Sequence, residues 1–472
     1  MLSKKSPIKN FVLIPESAAW IVIVLLSLLT VALIFVGAGN FLNVAFPFAS
    51  LCVGAFLYFR YPILYHGFTW WIWFLVALIR RLADYYSSYT EPSPLLLAPF
   101  LVTGLTIITV FQYLPKIYRT AVFFPFLLSL VGILYGFSIG LINMPLFTVT
   151  KELLSWLVPL TYGFYLLINW RNFPHYYQNL QRVFAWGILV MGIYGIVQFL
   201  AIPEWDRLWL NSSGMFTAAG AADASGGTRV WSTMHSGEPF AAFMAGGLLL
   251  LLNKPGIVNL GASGAGYIAF LLTTARSAWI GWFAGILTLT TSLKAKYQQR
   301  LIITFLVLAV FVVPLANMEQ FSGKLSNRFA SFSNITEDGS FKGRQATFRN
   351  NINSALTNVV GDGIGTPGMD SALLSTIISL GWFGTICYVG GLIMLVLRLF
   401  QNSSNSNNLF LGTARGVIIT CLIRVPLNVS ATRGIGGMLL WGFLALAIAS
   451  EKYYHHQRLI KTASNKPITT KQ

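Results

Sequence analysis

The chain has 472 residues, of which 55% are hydrophobic and only 10% charged, with a mean hydropathy of +0.66 and a formal net charge of +18 at pH 7. These values exclude an ordinary soluble domain. Crossing a hydrocarbon core of about 30 Å takes about 20 apolar residues, and such runs recur along nearly the whole length, so the expected fold class is all-α, a polytopic transmembrane helical bundle of about 12 to 14 spans.

In chain order the apolar runs predict helical spans near 17–37, 41–59, 63–80, 95–113, 121–142, 150–169 and 183–202. A second set follows near 238–252, 257–273, 278–293, 300–315, 371–399, 409–427 and 435–450. The run 63–80 has basic residues at both ends and reads either as a span or as a helix lying in the membrane interface. The run 238–252 is short for a span. The first apolar run follows a basic start, as in a signal peptide, but it is longer than the usual signal core and is followed by no small-residue cleavage pattern, so an uncleaved first span is expected. Cys52, Cys387 and Cys421 all fall within spans and suggest neither a disulfide framework nor a metal site.

Charge orients this arrangement. With a cytoplasmic N-terminus and this set of spans, 19 of the 32 Lys and Arg residues lie inside, accompanied by only two of the 14 acids, Glu16 and Glu451. The opposite side is then nearly neutral, which satisfies the positive-inside tendency. The excess of positive charge therefore reads as topology and membrane-surface attraction; no basic stripe with interleaved aromatics suggests a nucleic acid partner. Both termini are expected in the cytoplasm.

Two long connections face outward, 203–238 and 316–370. The second ends in FKGRQATFRNNINSALTNVVGDGIGTPGMD, where Lys342, Arg344 and Arg349 have helical spacing ahead of a glycine-rich turn, so this loop is expected to be partly helical and to handle anions. The first ends in RVWSTMHSGEPF, with Arg229, His235 and Glu238 just before a helix. TTARSAW places Arg276, and LIRVPLNVSATRG places Arg424 and Arg433, on the same outward side. An arginine near hydrocarbon costs about 2.5 to 3.5 kcal/mol and usually has a partner or a ligand. Guanidinium groups match phosphate bidentately, so Arg229, Arg276, Arg344 and Arg424 together suit a diphosphate.

Each of these residues also has a plain structural reading. A single outward arginine serves as a headgroup contact or an acid's partner, His235 as a loop hydrogen-bonder, Glu238 as a helix-start carboxylate favoured by the dipole, and Asp362 and Asp370 as turn residues. GIGTPG formally matches a dinucleotide-binding pattern, but it carries an internal proline and follows no strand. Gly281 and Gly285 read as allowing close helix packing. The gathering of so many such features on one side favours a site.

The order TTARSAWIGWFAG, GRQATFRNNINSAL, GDGIGTPGMDSALLSTIISLGWFGT resembles the O-antigen polymerase and ligase superfamily. The matching positions are Arg276 with Trp279, Arg344, the glycines Gly361, Gly363 and Gly365, and Gly381 with Gly384; RVWSTMHSGEPFAAF is similar to the preceding loop and points to Arg229. The resemblance covers about residues 183–400, which divides the chain into N-terminal spans 1–182, this core 183–400, C-terminal spans 401–450 and a basic tail 451–472. It implies a bacterial inner-membrane glycosyltransferase of O-antigen or exopolysaccharide synthesis. Such an enzyme uses neither cofactor nor metal and moves glycan with inversion from a polyprenyl-diphosphate-linked oligosaccharide to an acceptor glycan on the outer face. A chain-length regulator and a flippase are the further partners it suggests. The resemblance points to Arg276, Arg344 and Arg229; a base near the acceptor hydroxyl would complete the catalytic set, with His235 and Glu238 the candidates and Asp370 behind them, and Arg229, Arg349, Arg424 and Asp370 are the candidates for binding the diphosphate and glycan. The superfamily's ligases carry a histidine in the large outward loop; this chain has none between Met318 and Asp370, which favours polymerase over ligase. The competing class is a transporter or flippase of lipid-linked saccharide.

Overall fold

The structure is a computed structural model that describes residues 16–117, 122–215, 229–252, 256–291, 298–299, 339–401 and 409–464. The expected span 300–315, most of loop 316–370 before Gly339, and the middle of loop 203–238 lie outside the described residues.

Among the described residues the chain forms α-helices, short 3-10 turns and irregular connections, and no strand. In order the helices are α1 (Glu16–Phe35), α2 (Gly39–Arg60), α3 (Pro62–Tyr86), α4 (Ala98–Gly104), α5 (Ile107–Ile117), α6 (Phe124–Asn143), α7 (Leu146–Ile168) and α8 (Phe173–Leu200). They continue with α9 (Glu204–Ser213), α10 (Gly237–Leu251), α11 (Ile257–Leu272), α12 (Arg276–Thr291), α13 (Gly339–Thr357), α14 (Ala372–Gln401), α15 (Leu409–Arg424) and α16 (Gly434–Ser464). Eight segments of the described residues are long and apolar enough to cross a membrane, and α10 and α11 are shorter apolar helices. Multi-pass membrane character follows from these helices.

Several boundaries differ from the apolar runs for local reasons. Helix α3 extends past residue 80 through Arg80, Arg81 and Asp84, and it is one of the eight long apolar segments. Helix α8 begins ten residues before its apolar run because Pro174 fits a first turn and no breaker separates the polar residues from the apolar ones. Helix α16 runs on through the basic stretch to Ser464. The run 95–113 is divided: a short 3-10 turn, Pro94–Leu97, leads into α4, and α5 begins after Gly104.

The middle of the bundle is α10 with the first half of α16. Every residue of α10 from Phe240 to Leu251 is buried, as is every residue of α16 from Gly436 to Ser450. A helix that is apolar all round is stable only when protein surrounds it, and here α8, α11, α12 and α15 pack on α10. The shortness of α10 is therefore compatible with its position.

Close helix pairs rest on small residues. A Cβ at Gly285 would stand 2.7 Å from the Gly416 carbonyl oxygen, and one at Gly281 would stand 2.8 Å from that of Thr420, so α12 and α15 touch backbone to backbone. Helices α6 and α14 meet in the same way at Gly132, Gly384 and Gly391.

Helix α14 is interrupted at Gly381, whose φ of 61° and ψ of −176° are not helical. The segment 359–364 comes back against this break. Trp382 N donates to Val359 O at 2.9 Å, Asp362 N to Ile378 O at 2.8 Å, and Ile364 N to Gly136 O at 2.9 Å. Gly361, Gly363 and Gly365 all have positive φ, and a Cβ on Gly363 would meet the backbone of Gly140. The amides of Asp362 and Ile364 are thus consumed in packing rather than offered to a phosphate, in keeping with rejection of a dinucleotide loop. Gly381→Ala would bring a Cβ to 2.2 Å from Val360 O at an unfavourable φ, and it should cost roughly 1–3 kcal/mol or abolish the folded monomer on fluorescence-detected gel filtration. Gly264→Ala, with nothing within 4 Å, should leave the elution profile unchanged.

Candidate functional site

The residues that sequence reasoning gathered lie at one end of the bundle, where α3 and α8 finish and α7, α10, α12 and α14 begin. Three ion-paired clusters organise this end, and each contains an arginine buried among helices, where an unpaired charge would be costly.

The first cluster ties α3, α8 and α9 to the loop before α10. Arg81 and Asp206 are both fully buried, and Arg81 Nε lies 2.8 Å from Asp206 Oδ1. Tyr194 Oη and Gln198 Nε2 donate to Asp206 Oδ2 at 2.9 and 2.6 Å. Gln198 in turn accepts from the amides of Trp231 and Ser232 at 3.0 and 2.8 Å. The Arg81 guanidinium donates to the carbonyls of Met234, at 2.7 Å, and of Ser232. Ser232 sits at φ 53°, an unusual value for a residue with a side chain, and its hydroxyl donates to Met191 O at 2.6 Å. The amides of Trp231 and Ser232, the carbonyls of Ser232 and Met234 and the hydroxyls of Ser232 and Thr233 are therefore all held by α3 or α8. The adjacent Arg80 lies 3.3 Å from Asp84 and 2.6 Å from Glu91, and donates to Thr90 O at 2.8 Å. In Glu91, burial raises the carboxyl pKa, but hydrogen bonds and charge from Arg80 with a hydrogen bond from Tyr89 outweigh it and leave the pKa below the usual value.

This framework positions His235. Its ring meets Trp209 edge-on at 5.5 Å, and Arg81 lies over the Trp209 ring at 6.0 Å. The imidazole is exposed to solvent beside this framework. Desolvation, then the charges of Arg80 and Arg81, push its pKa down to about 4, with Lys151 at the start of α7 adding to the effect. At pH 7 the ring is neutral and can accept a proton, though weakly.

The second cluster contains Glu238, in the first turn of α10, where the helix dipole favours a carboxylate. Arg424 Nη2, at the last residue of α15, donates to Glu238 Oε2 at 3.0 Å, and Ser277 Oγ donates to Oε1 at 3.1 Å. Glu238 thus joins α10, α12 and α15. The Arg424 side chain is 1% exposed, so its main contact is this carboxylate. Arg276 opens α12 beside Ser277 and is half-buried, following Thr274 at φ 50°. Arg229 is half-buried where the described part of its loop begins, next to Val230, whose amide donates to Leu272 O at 3.2 Å.

In the third cluster Arg433 lies 4.1 Å over the Trp156 ring, donates to Ser375 Oγ at 2.8 Å and stands 3.8 Å from Glu152. It joins α7, α14 and the turn before α16.

The structure thus brings Glu238 and Arg424 into direct contact, with His235 and Arg276 close by in the chain. Arg344, Arg349 and Asp370 belong to a separate layer. Helix α13 packs on the first half of α14 through Ala355, Leu374 and Ile378. Arg344 lies about three turns before Ala355 and on the same helix face. It is half-buried, whereas Arg349 is exposed on another face and Asp370 is exposed just before α14.

Sequence reasoning missed Arg80, Arg81, Asp206, Trp209, Glu152 and Lys151. Adjacent arginines at the end of an apolar helix, with Asp84 one turn beyond Arg80, were the available signal. Among the described residues no group of three or more His, Cys, Asp and Glu side chains is arranged to hold a metal ion.

Two expectations follow. Arg81→Ala would leave Asp206 buried without its cation and should cost about 3–5 kcal/mol, read as a lowered unfolding midpoint, while adding Asp206→Leu should cost less than the sum of the two single changes. For His235, a folded pKa of about 4 lies below the ordinary 6.5, so the unfolded chain takes up the proton first. The ring therefore costs stability as pH falls from 6.5 towards 4 and nothing above that window. His235→Asn should flatten the midpoint-versus-pH curve within the window and leave it unchanged at pH 8; an unaltered slope would show that the ring is not held neutral.

Compared with known families and curated proteins, the chain matches no family model and no curated protein.

Proposed function

We propose that the protein is a membrane-embedded glycosyltransferase that polymerises or transfers oligosaccharide units carried on a polyprenyl diphosphate. The observation that carries this reading is the convergence, at one end of an apolar bundle, of a solvent-reachable neutral imidazole, a carboxylate at a helix start and several arginines. In this reading the chain crosses the bacterial inner membrane about 12 to 14 times with both termini in the cytoplasm, and the site faces outward; the distribution of Lys and Arg supports that orientation.

The chemistry is a displacement at an anomeric carbon. The acceptor hydroxyl oxygen forms a bond to that carbon, the bond from carbon to diphosphate oxygen breaks with inversion, and the electron pair leaves on the diphosphate. Fixed cations lower such a barrier most where negative charge develops. Arg276, Arg344 and Arg229 are assigned to the diphosphate, with Arg349 and Asp370 at the glycan. Arg424 acts by holding Glu238, whose two oxygens are engaged by Arg424 and Ser277. His235 is then the better base. Its low basicity in the free protein comes from burial and two neighbouring guanidinium charges, and a bound diphosphate would offset those charges and raise its pKa towards the working pH.

One observation favours a transporter of lipid-linked saccharide, the break in α14 at Gly381, since transporters use broken helices. In transporters, however, the freed backbone groups line a ligand cavity. Here the groups around Gly381 are engaged by segment 359–364 instead, so the break packs the bundle and the enzymatic reading is kept.

A purified preparation given only lipid-diphosphate oligosaccharide should produce a ladder of longer chains. Transfer only after addition of a lipid core would mean a ligase, and absence of turnover would leave the transporter. Arg276→Ala and Arg344→Ala should each reduce product by about a hundredfold or more while the protein remains in the membrane; wild-type chain lengths in both would refute the assignment. A cysteine at Ser340 should be labelled by an impermeant reagent in intact cells, and labelling only after permeabilisation would invert the topology.

A further inference from the structure

The opposite end of the bundle carries a second convergence of cations that the proposed reaction does not use. Trp170, in the short turn between α7 and α8, has its ring covered by two of them: Lys452 Nζ of α16 lies 5.1 Å from the ring centre and the Arg171 guanidinium 4.8 Å from it. Lys452 also stands 5.7 Å from the ring of Phe123, at the start of α6. Arg398, in the last turn of α14, is near enough for its charge to act on Lys452 together with that of Arg171. The Nε of Arg398 is buried and has no hydrogen-bond partner. The only acid in these elements at this end is Glu451, and its charge favours Arg415 of α15.

Three cations brought together from three elements repel one another, and a buried guanidinium nitrogen without an acceptor adds to the cost. Both penalties are relieved by a phosphate placed among them, since phosphate accepts several charge-assisted hydrogen bonds. The surroundings indicate which phosphate. Trp170, Tyr177, Tyr453 and Tyr454 gather at this level through their ring contacts, as aromatic residues do at a membrane interface. On the bundle surface next to Arg398, the side chains of Phe124, Ile393, Met394 and Leu397 are exposed and apolar, a wall suited to acyl chains.

We propose that Arg171, Arg398 and Lys452 form a binding site for the phosphate of an anionic phospholipid, with Trp170 as its floor and the exposed α6–α14 face receiving the acyl chains. Basic recesses between membrane helices at headgroup level bind anionic lipids by this physics. The proposal stands on the opposite end of the bundle from the site above and does not depend on the reaction assigned there.

The test uses the full-length protein purified in uncharged detergent, with phosphatidylglycerol, phosphatidylcholine or inorganic phosphate added, and reads the unfolding midpoint together with lipid retained in native mass spectrometry. Phosphatidylglycerol should raise the wild-type midpoint and be retained as a discrete adduct, and phosphatidylcholine should do neither. Arg398→Gln with Lys452→Gln should weaken the apparent affinity about tenfold or more. Arg171→Gln, a change on the exposed rim, should weaken it in the same direction and keeps the test informative if the double variant fails to fold. An equal phosphatidylglycerol effect in wild type and Arg171→Gln, or none in wild type, would overturn the site. Stabilisation by inorganic phosphate equal to that by the lipid would overturn the lipid assignment.

Discussion

A guanidinium enclosed by apolar helices has to be paired, and the pair between Arg81 and Asp206 is the contact on which the candidate site depends. It spans α3 and α9, and through Gln198 and the carbonyls of Ser232 and Met234 it ties down the residues just before α10. The cost of desolvating both charges is met by several further hydrogen bonds, without which such a pair is a poor source of stability. What the pair supplies is specificity of position. The imidazole of His235 takes its place beside this framework, while Arg424 and Ser277 hold the carboxylate of Glu238.

The same arginines also set the electrostatics. Burial first, then Arg80 and Arg81, holds the His235 pKa below its usual value, while Arg424 and Ser277 engage the two carboxylate oxygens of Glu238. Only two residues separate these groups in the chain, yet different neighbours hold them, Trp209 for the ring and Arg424 with Ser277 for the carboxylate. An anionic ligand entering this region would meet positive potential from several helices and would shift His235 most, because that ring is both accessible and poised by neighbouring charge. Structure and electrostatic response are coupled through one set of side chains.

At the other end the cations are arranged differently. In the site region each buried arginine described has a carboxylate nearby, whereas the charges that act on Lys452 are those of Arg171 and Arg398. Pairing within the protein suits groups that must hold helices together in a dry interior. Cations left for an external anion suit a rim at headgroup level, where aromatic rings support them and lipid phosphate is abundant.

Much of the architecture was legible in the chain. Apolar runs of span length predicted an all-helical membrane bundle, Gly281 and Gly285 were readable as packing residues, and the glycine-rich GIGTPG turn was separable from a nucleotide loop. These features are local: a run of apolar residues must be helical in hydrocarbon because its backbone has no other partner, and a small residue permits close approach wherever it lies. The partners of the charges were not legible. Arg81 finds Asp206 and the 231–234 loop far along the chain, Arg424 finds Glu238, and Arg433 finds Trp156 and Ser375, and no spacing in the sequence encodes such distances. The chain by itself determined that it is helical, apolar and strongly basic at its connections, because those properties sum over residues. Only the tertiary structure decided which arginines are occupied in holding the bundle, because a buried charge takes its role from whatever carboxylate, carbonyl or ring the fold places within a few ångströms of it.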